Sequence, residues 1–286
     1  MIEKLKKIDP SRLLNRSSID LNNKVVLVDF WTYTCVNCIR TLPSLKSIYN
    51  EFRNSGLEIV GIHTPEFEFE KNPENIRRAI RELEIEYPVI NDYDYLIWNE
   101  FENRYWPAHY LFDKNGKLVH THFGEGGYEE LSEFISSLLS INKRPKVEED
   151  PSYYFGITPE TYLGSLRGEI ANGPSCYNSK CNYYVIPRRI SIGRVFLEGY
   201  WDINEEFITP DDEYSRLHLI FRAKEINAVI DPSGLETLNY SIDGEEMSKN
   251  LDYSRMYNLF AGKDVVEHRI IINVPRKMRL YVFTFG

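Results

Sequence analysis

The hydrophobic pattern is most regular near the start of the chain. Residues 25–31 (Val-Val-Leu-Val-Asp-Phe-Trp) are almost all apolar, which is typical of a strand buried on both faces of a sheet. After a short turn at 32–38, apolar residues recur every third or fourth position, which predicts a helix over 39–52 that stops at Gly56. The apolar positions of this helix are Leu42, Leu45, Ile48, Tyr49 and Phe52.

Alternating strands and helices continue to about residue 142. A hairpin signal stands at Asn115-Gly116, between two short apolar runs. This order predicts an α/β sheet covered by helices on both faces. The further elements predicted are strands over 57–62, 87–90, 110–112 and 118–123, and helices over 75–83 and 129–139.

The pattern changes after a polar segment. Residues 143–151 (Lys-Arg-Pro-Lys-Val-Glu-Glu-Asp-Pro) contain two prolines and interrupt every periodicity, which is typical of a linker. We therefore predict one domain over 1–142 and another over 152–286. Short strands separated by turns in the second domain predict an all-β, jelly-roll-like sandwich; they are predicted over 195–201, 217–223, 228–230, 238–242, 268–274 and 279–285.

Composition and charge restrict the partners. The chain has 286 residues, 42% of them hydrophobic, and a formal net charge of −9. This acidity argues against nucleic acid or an anionic membrane as the main partner. No segment approaches 18 consecutive apolar residues, and no apolar signal region follows the N-terminal lysines, so neither membrane insertion nor secretion is expected. The expected location is cytoplasmic for the chain as it stands, and extracytoplasmic if it is part of a longer membrane-anchored protein.

The candidate chemistry lies in the turn at 32–38. Cys35-Val36-Asn37-Cys38 directly follows a buried strand and begins a helix. Disulfide exchange needs a thiolate, and a helix N-terminus stabilises one. We therefore predict that Cys35, nearer the helix start, is the nucleophile, and that Cys38 is the resolving cysteine. This strand–turn–helix setting is typical of thioredoxin-like redox sites.

A zinc site is the alternative for such a cysteine pair. Structural zinc needs four ligands, yet His63 is isolated, and His120 and His122 are spaced as in a strand. We expect His63 to be a packed histidine at a strand end. No metal and no cofactor is therefore predicted.

The segment from Val28 to Cys38 resembles the active-site segment of thioredoxins. In that family an aspartate six residues before the first cysteine accepts the proton of the resolving thiol, and Asp29 stands at that distance. The resemblance implies the same role for Asp29. Burial raises the pKa of a carboxyl group, which makes such a group a base that works near neutral pH.

Motifs along most of the chain resemble the DipZ family, a branch of the TlpA-like thioredoxins. That family also carries a membrane domain, for which this chain has no counterpart, and a β domain similar to carbohydrate-binding modules. The motifs are Trp31–Cys38, Gly61–Phe67, Arg104–Ala108, Phe123–Gly126, Thr158–Gly164 and Tyr281–Gly286.

The resemblance implies several site residues. Pro107 corresponds to the cis-proline that faces the disulfide, and Trp106 before it offers its backbone to an extended substrate. Trp31 is a further candidate for substrate binding. Glu66 matches in position a glutamate that TlpA-like proteins keep near the cysteines, with a solvated loop carboxylate as the alternative.

The predicted function is thiol–disulfide exchange, in the reductive direction that the family implies. The expected partners are protein thiols or disulfides and an electron donor protein. Two alternatives remain open. A thiol peroxidase is suggested by Thr32, which lies three residues before Cys35 as in the peroxiredoxin pattern Pro-x-x-x-Thr-x-x-Cys. Val28, however, stands where that pattern has proline. A binding module without redox activity is the other.

The β domain raises two further hypotheses. Cys176 and Cys181 flank turn residues and are predicted to form a structural disulfide, with free thiols as the alternative. A carbohydrate or protein ligand is the candidate partner of this domain. Sugar binding needs exposed aromatic side chains, and the candidates by residue type are Tyr183, Tyr184, Tyr200 and Trp201.

Overall fold

The computed structural model describes residues 1–147, 156–175, 182–213, 215–234 and 236–286. The chain divides into two compact units, Met1–Pro151 and Ser152–Gly286. Within the described residues, the model contains no helix long and apolar enough to cross a membrane.

The first unit is built around a mixed sheet with strand order β3-β2-β1-β4-β5. β1, β2 and β3 are parallel, whereas β4 and β5 form an antiparallel extension beside β1. This arrangement confirms the predicted thioredoxin-like α/β fold. Its elements are α1 (Ile2–Leu5), β1 (Val25–Trp31), α2 (Val36–Phe52), β2 (Leu57–His63), α3 (Pro73–Glu82), β3 (Val89–Asn91), α4 (Leu96–Glu100), β4 (Ala108–Phe112), β5 (Leu118–Phe123) and α5 (Tyr128–Leu139).

The central strand β1 is buried along its whole length, as its apolar run predicts. Side chains alternate between the two faces of a strand. Val26, Val28 and Phe30 therefore share one face, where they join an apolar cluster with α1 and α4. Asp29 lies on the opposite face, and α2 and α5 pack against the sheet.

The helix that follows β1 begins earlier than its apolar spacing predicted. α2 starts at Val36 with Cys35 as its N-cap residue, so Cys38 lies within the first turn. The helix ends at Phe52, and a short 3-10 turn leads to Gly56, whose φ of 107° is readily adopted only by glycine. Gly56, which was predicted to end the helix, therefore lies one turn beyond its last residue.

The second unit is rich in β-structure, as predicted. Its hydrogen-bonded path runs β12-β11-β13-β10-β14-β9-β8-β7, with β6 beside β14. The strands are β6 (Thr161–Tyr162), β7 (Tyr183–Tyr184), β8 (Val195–Ile203), β9 (Ile208–Pro210), β10 (Arg216–Asp231), β11 (Thr237–Ile242), β12 (Glu245–Asn250), β13 (Arg255–Asn273) and β14 (Arg279–Phe285).

Two features of this unit differ from the sequence pattern. The strands expected over 217–223 and 228–230 are one strand, β10, whose register shifts at Ala223–Glu225 where polar residues interrupt the apolar run. β12 was not predicted, because its residues are almost all exposed and polar, and it is held in place by pairing with β11.

Candidate active site at the Cys35–Cys38 turn

The two cysteines of the motif lie at the junction of β1 and α2. Sγ of Cys35 accepts a hydrogen bond from the backbone N–H of Cys38 at 3.1 Å, and the two sulfurs form a disulfide in this structure. Cys38 is fully buried, whereas Cys35 is partly exposed. The sulfur that a partner can reach is therefore the one at the positive end of the helix, where a thiolate is stabilised.

A cis peptide bond lies beside this turn. The bond between Trp106 and Pro107 is cis, and the next residue, Ala108, pairs with Phe30 near the end of β1. The indole N–H of Trp106 donates to the carbonyl oxygen of Thr64 at 3.2 Å. These contacts fix Pro107 beside the end of β1 and Trp106 beside Thr64, and their role in substrate binding stays a prediction.

Trp31 has a different position from the other candidates for substrate binding. Its side chain is only 1% exposed, and its ring packs edge-on against His63 with 5.3 Å between centroids. A Cβ atom added to Gly61 would lie 3.0 Å from the Trp31 indole nitrogen, so the ring packs closely on the backbone of β2. The structure thus places Trp31 in the packing beneath the site, where its side chain does not reach the surface.

Asp29 is fully buried between two polar side chains. The hydroxyl of Tyr87 donates to Oδ2 at 3.3 Å, and Nε2 of His109 lies 3.3 Å from Oδ1. Burial, and secondarily the charge of Asp29, raise the pKa of Tyr87. The ring of Tyr87 also packs edge-on against Tyr49 of α2, so Asp29 faces the layer that contains Cys38.

A second buried carboxylate, Glu70, contacts the active-site turn. The Thr34 hydroxyl donates to Oε1, and the backbone N–H groups of Glu66 and Phe67 donate to Oε2. Burial, reinforced by the charge of Glu66, raises the pKa of Glu70 to about 8, although hydrogen bonds from Thr34, the Glu66 backbone and Thr32 oppose the shift. Glu70 therefore ties the turn before Cys35 to the loop after β2.

Sequence reasoning selected Glu66 and missed Glu70. The segment 66–70 reads Glu-Phe-Glu-Phe-Glu, and this alternation does not show which glutamate turns inward. Glu66 is partly exposed, and it is its backbone N–H that bonds to Glu70. The carboxylate that accepts the hydrogen bond from the Thr34 hydroxyl is therefore that of Glu70, four residues beyond Glu66.

His63 is packed at the end of β2, where the sequence placed it. The ring is fully buried and stacks on Tyr33 with 5.4 Å between centroids. Its Nε2 lies 3.2 Å from the Thr32 hydroxyl. Burial lowers the pKa of His63 to about 3, so this side chain is neutral at physiological pH.

Across the described ranges, no group of three or more His, Cys, Asp or Glu side chains is arranged to hold a metal ion. Cys176 and Cys181, with their predicted disulfide, lie outside the described residues.

The four aromatic candidates of the β domain separate into two groups. Tyr184 and Trp201 are buried core residues. Tyr183 and Tyr200 are 39% and 42% exposed. These two are cross-strand partners on β7 and β8, with 4.8 Å between ring centroids. Only this pair offers aromatic surface to a ligand.

Comparison with known proteins identifies both halves of the chain. Residues 13–121 match the AhpC/TSA family, and residues 158–286 match the thioredoxin like C-terminal domain. Protein DipZ of Mycobacterium bovis, and likewise of Mycobacterium tuberculosis, is 31% identical over 277 residues, which cover 93% of this chain. The chain spans 39% of the length of those proteins.

Smaller proteins match the first unit. Thiol-disulfide oxidoreductase YkuV of Bacillus subtilis is 30% identical over 120 residues, 42% of this chain and 80% of YkuV. The solution structure of a thioredoxin-like protein in the oxidized form has 28% identity and a TM-score of 0.41, covering 45% of this chain and 88% of that one. The chain is a homologue of DipZ. In this chain a thioredoxin-like domain that matches the AhpC/TSA family precedes a thioredoxin like C-terminal domain.

Proposed function

We propose that this chain is a thiol–disulfide oxidoreductase that reduces disulfides in protein partners. The observation that carries the proposal is the disulfide between Cys35, a partly exposed helix N-cap, and Cys38, buried one turn further on. Such an arrangement provides one accessible thiolate and one resolving thiol within reach of it. The names of YkuV and of a related ResA of Bacillus cereus describe the same activity in those proteins.

The reaction proceeds by two exchanges. The Cys35 thiolate attacks one sulfur of a partner disulfide, which forms a mixed disulfide and releases the partner's other sulfur as a thiolate. Cys38 then loses its proton and attacks the Cys35 sulfur, which releases the partner's second sulfur and closes the Cys35–Cys38 disulfide. The partner gains two electrons and the enzyme loses two. An electron donor protein of dithiol type returns the enzyme to its reduced form.

Asp29 is proposed to accept the proton of Cys38. The carboxylate is buried on the sheet face toward α2, and Tyr87 connects it to that helix layer. A positioned carboxylate speeds proton transfer by about 10²-fold or more. Glu66, the other acidic residue expected at the site, contributes its backbone to the loop that holds Glu70.

The substrate is proposed to lie along the cis-proline. The backbone before Pro107 ends at the open edge of the site, where an extended segment can add as a strand. Tyr105 and Phe123 are 54% and 48% exposed, with 5.2 Å between their ring centroids. This surface favours partner segments with apolar residues near the cysteine.

Insulin reduction tests the proposal. The wild-type chain should reduce insulin with dithiothreitol as electron source, and Cys35→Ser should lose this activity. Activity retained by Cys35→Ser contradicts it. A reduction potential above about −150 mV against glutathione would mark an oxidant and reverse the proposed direction. The peroxidase alternative needs the Thr32 hydroxyl at the thiolate, whereas this hydroxyl interacts with His63 and Glu70.

The β domain is proposed to bind a carbohydrate or protein ligand through Tyr183 and Tyr200. Exposed aromatic rings stack on sugars, and the amide of Asn182 lies 3.3 Å from the Asp202 carboxylate nearby. Calorimetric titration with oligosaccharides should give heat that Tyr200→Ala removes. Absence of any such heat would leave a protein as the proposed ligand.

A further inference from the structure

Three titratable side chains form one row across the sheet of the first unit. Asp29 on β1 pairs with His109 on β4, and His109 pairs with His122 on β5. Cross-strand partners point to the same face of a sheet. The row therefore runs from the buried centre of the sheet to its last strand.

The inner part of this row is buried. Asp29 is fully buried and His109 is 1% exposed, with Nε2 of His109 3.3 Å from Oδ1 of Asp29. The rings of His109 and His122 are stacked at 15° with 6.2 Å between centroids. His122 is partly exposed, so this end of the row meets solvent.

The ring nitrogens have the chemistry that a proton path needs. Nε2 of His122 lies 3.2 Å from the carbonyl oxygen of Glu125. Because a carbonyl oxygen only accepts, Nε2 carries the proton, and Nδ1 of the neutral ring is left to accept another. Both ring nitrogens of His109 and Oδ1 of Asp29 are buried, and none of the three has a hydrogen-bond partner among the described residues, although Nε2 and Oδ1 lie 3.3 Å apart. Buried polar atoms normally have a partner, so these atoms are available to bind a proton or a water.

We propose that His109 is a positioning residue for Asp29 and that Asp29, His109 and His122 carry the Cys38 proton to solvent. The inference rests on the proposed function. Asp29 takes the proton from the Cys38 thiol and passes it to Nε2 of His109. Nδ1 of His109 releases a proton to Nδ1 of His122 through one water, because stacked rings whose centroids are 6.2 Å apart do not hydrogen-bond to each other directly. His122 then releases a proton to solvent, and reduction of the disulfide reverses every transfer.

Other charged groups near the row enter its pH dependence. Tyr87 faces Asp29 from the segment before β3, and its ring packs against α2, the helix that contains Cys38. Glu125, ion-paired with Arg40 of α2 at 3.8 Å, lies beside His122. His120 on β5 and Glu130 on α5 complete the set, because His120 interacts electrostatically with Glu130 and with both histidines of the row.

The test separates attack by Cys35 from resolution by Cys38. Reduced protein is mixed with 5,5′-dithiobis(2-nitrobenzoate), and release of thionitrobenzoate is followed by stopped flow. The first equivalent reports attack by Cys35, and the second reports resolution by Cys38. A Cys35→Ser/Cys38→Ser variant supplies the baseline from Cys176 and Cys181.

His109→Gln should slow the second phase about tenfold at neutral pH, leave the first phase unchanged and change the pH midpoint of the second phase. Glutamine occupies the same place beside Asp29 but takes up no proton, so a purely structural role predicts the wild-type rate. His109→Ala should be slowed as well and regain rate with added imidazole. His122→Gln should be slowed about threefold, with its rate restored by concentrated buffer.

His120→Gln is the comparison variant: this histidine interacts electrostatically with the row, but its ring packs on Phe134 and is not one of the three proposed proton carriers. It should shift the pH midpoint of the second phase at most slightly and resolve within about twofold of the wild-type rate. A His109→Gln second phase equal to wild type in rate and pH midpoint overturns the inference and leaves the proposed function intact. If the second phase is not slowed in His109→Gln, slowing in His109→Ala reports packing alone. Failure of the proposed function looks different, since the first phase would then not depend on Cys35.

Discussion

Two buried carboxylates of the first unit, Asp29 and Glu70, have different surroundings. Asp29 belongs to a strand and meets two side chains, Tyr87 and His109, both able to exchange a proton. Glu70 belongs to a turn and meets the Thr34 hydroxyl and two backbone N–H groups. Backbone amides only donate, so they hold a carboxyl group in place without relaying its proton.

The comparison shows that burial of an acid near a redox site does not by itself define a base. Asp29 has a continuous row of titratable groups behind it, whereas Glu70 connects the turn at 32–35 to the loop at 66–67. We therefore expect changes at Asp29 to alter the chemistry and changes at Glu70 to alter stability. Four experiments test this distinction.

The largest expected effect belongs to Asp29→Asn. Without the carboxylate, Cys38 has no buried base, and resolution of the mixed disulfide should slow about 100-fold at neutral pH. The second phase of thionitrobenzoate release measures this rate. Glu70→Gln is the comparison and should resolve within about threefold of wild type. Equal slowing in both variants would remove the distinction between the two acids.

Glu70→Ala is expected to cost the most stability. The Thr34 hydroxyl and the two loop N–H groups lose a buried partner, which should lower the free energy of unfolding by roughly 1–3 kcal/mol. Urea unfolding of the full chain measures the change. Glu68→Ala is the matched control, because its side chain is 74% exposed and pairs with Lys71 within the same turn; it should change stability by less than about 0.5 kcal/mol.

Glu70→Gln is expected to flatten the pH dependence of stability. The pKa of Glu70 in the folded protein is about 8, against an ordinary value of 4.5. The folded state therefore binds the proton more tightly, and this stabilisation is complete below pH 4.5 and is lost as the pH rises toward about 8. Unfolding measured from pH 4.5 to 8 should show a decline in wild type and a smaller one in Glu70→Gln. Parallel curves would show that Glu70 does not titrate in this window.

Tyr87→Phe should have the smallest effect. The change removes one hydrogen bond to Asp29 and should lower the free energy of unfolding by about 0.5–1.5 kcal/mol. Resolution should slow about threefold, because His109 still faces the carboxylate. A loss of rate as large as that of Asp29→Asn would assign the proton transfer to the Tyr87 side of Asp29.

Much of the fold could be predicted because its signals are local. The apolar run 25–31, the spacing after Cys38 and the Asn115-Gly116 turn each report neighbours a few residues apart. Elements that lack an apolar pattern were missed. The exposed strand β12 depends on pairing with β11, and β10 continues through the polar residues that divided its prediction.

The Cys35–Cys38 pair could be predicted from its spacing between a strand and a helix, and Asp29 and Pro107 from the resemblance to thioredoxins and the DipZ family. The folded structure was needed to show which glutamate of the segment 66–70 turns inward and that Trp31 is covered. It was also needed to show that His109 and His122 continue the row from Asp29, because the register between β1 and β4 joins residues 80 positions apart. Short-range patterns carry no information about such pairings, which follow from how the whole sheet is assembled.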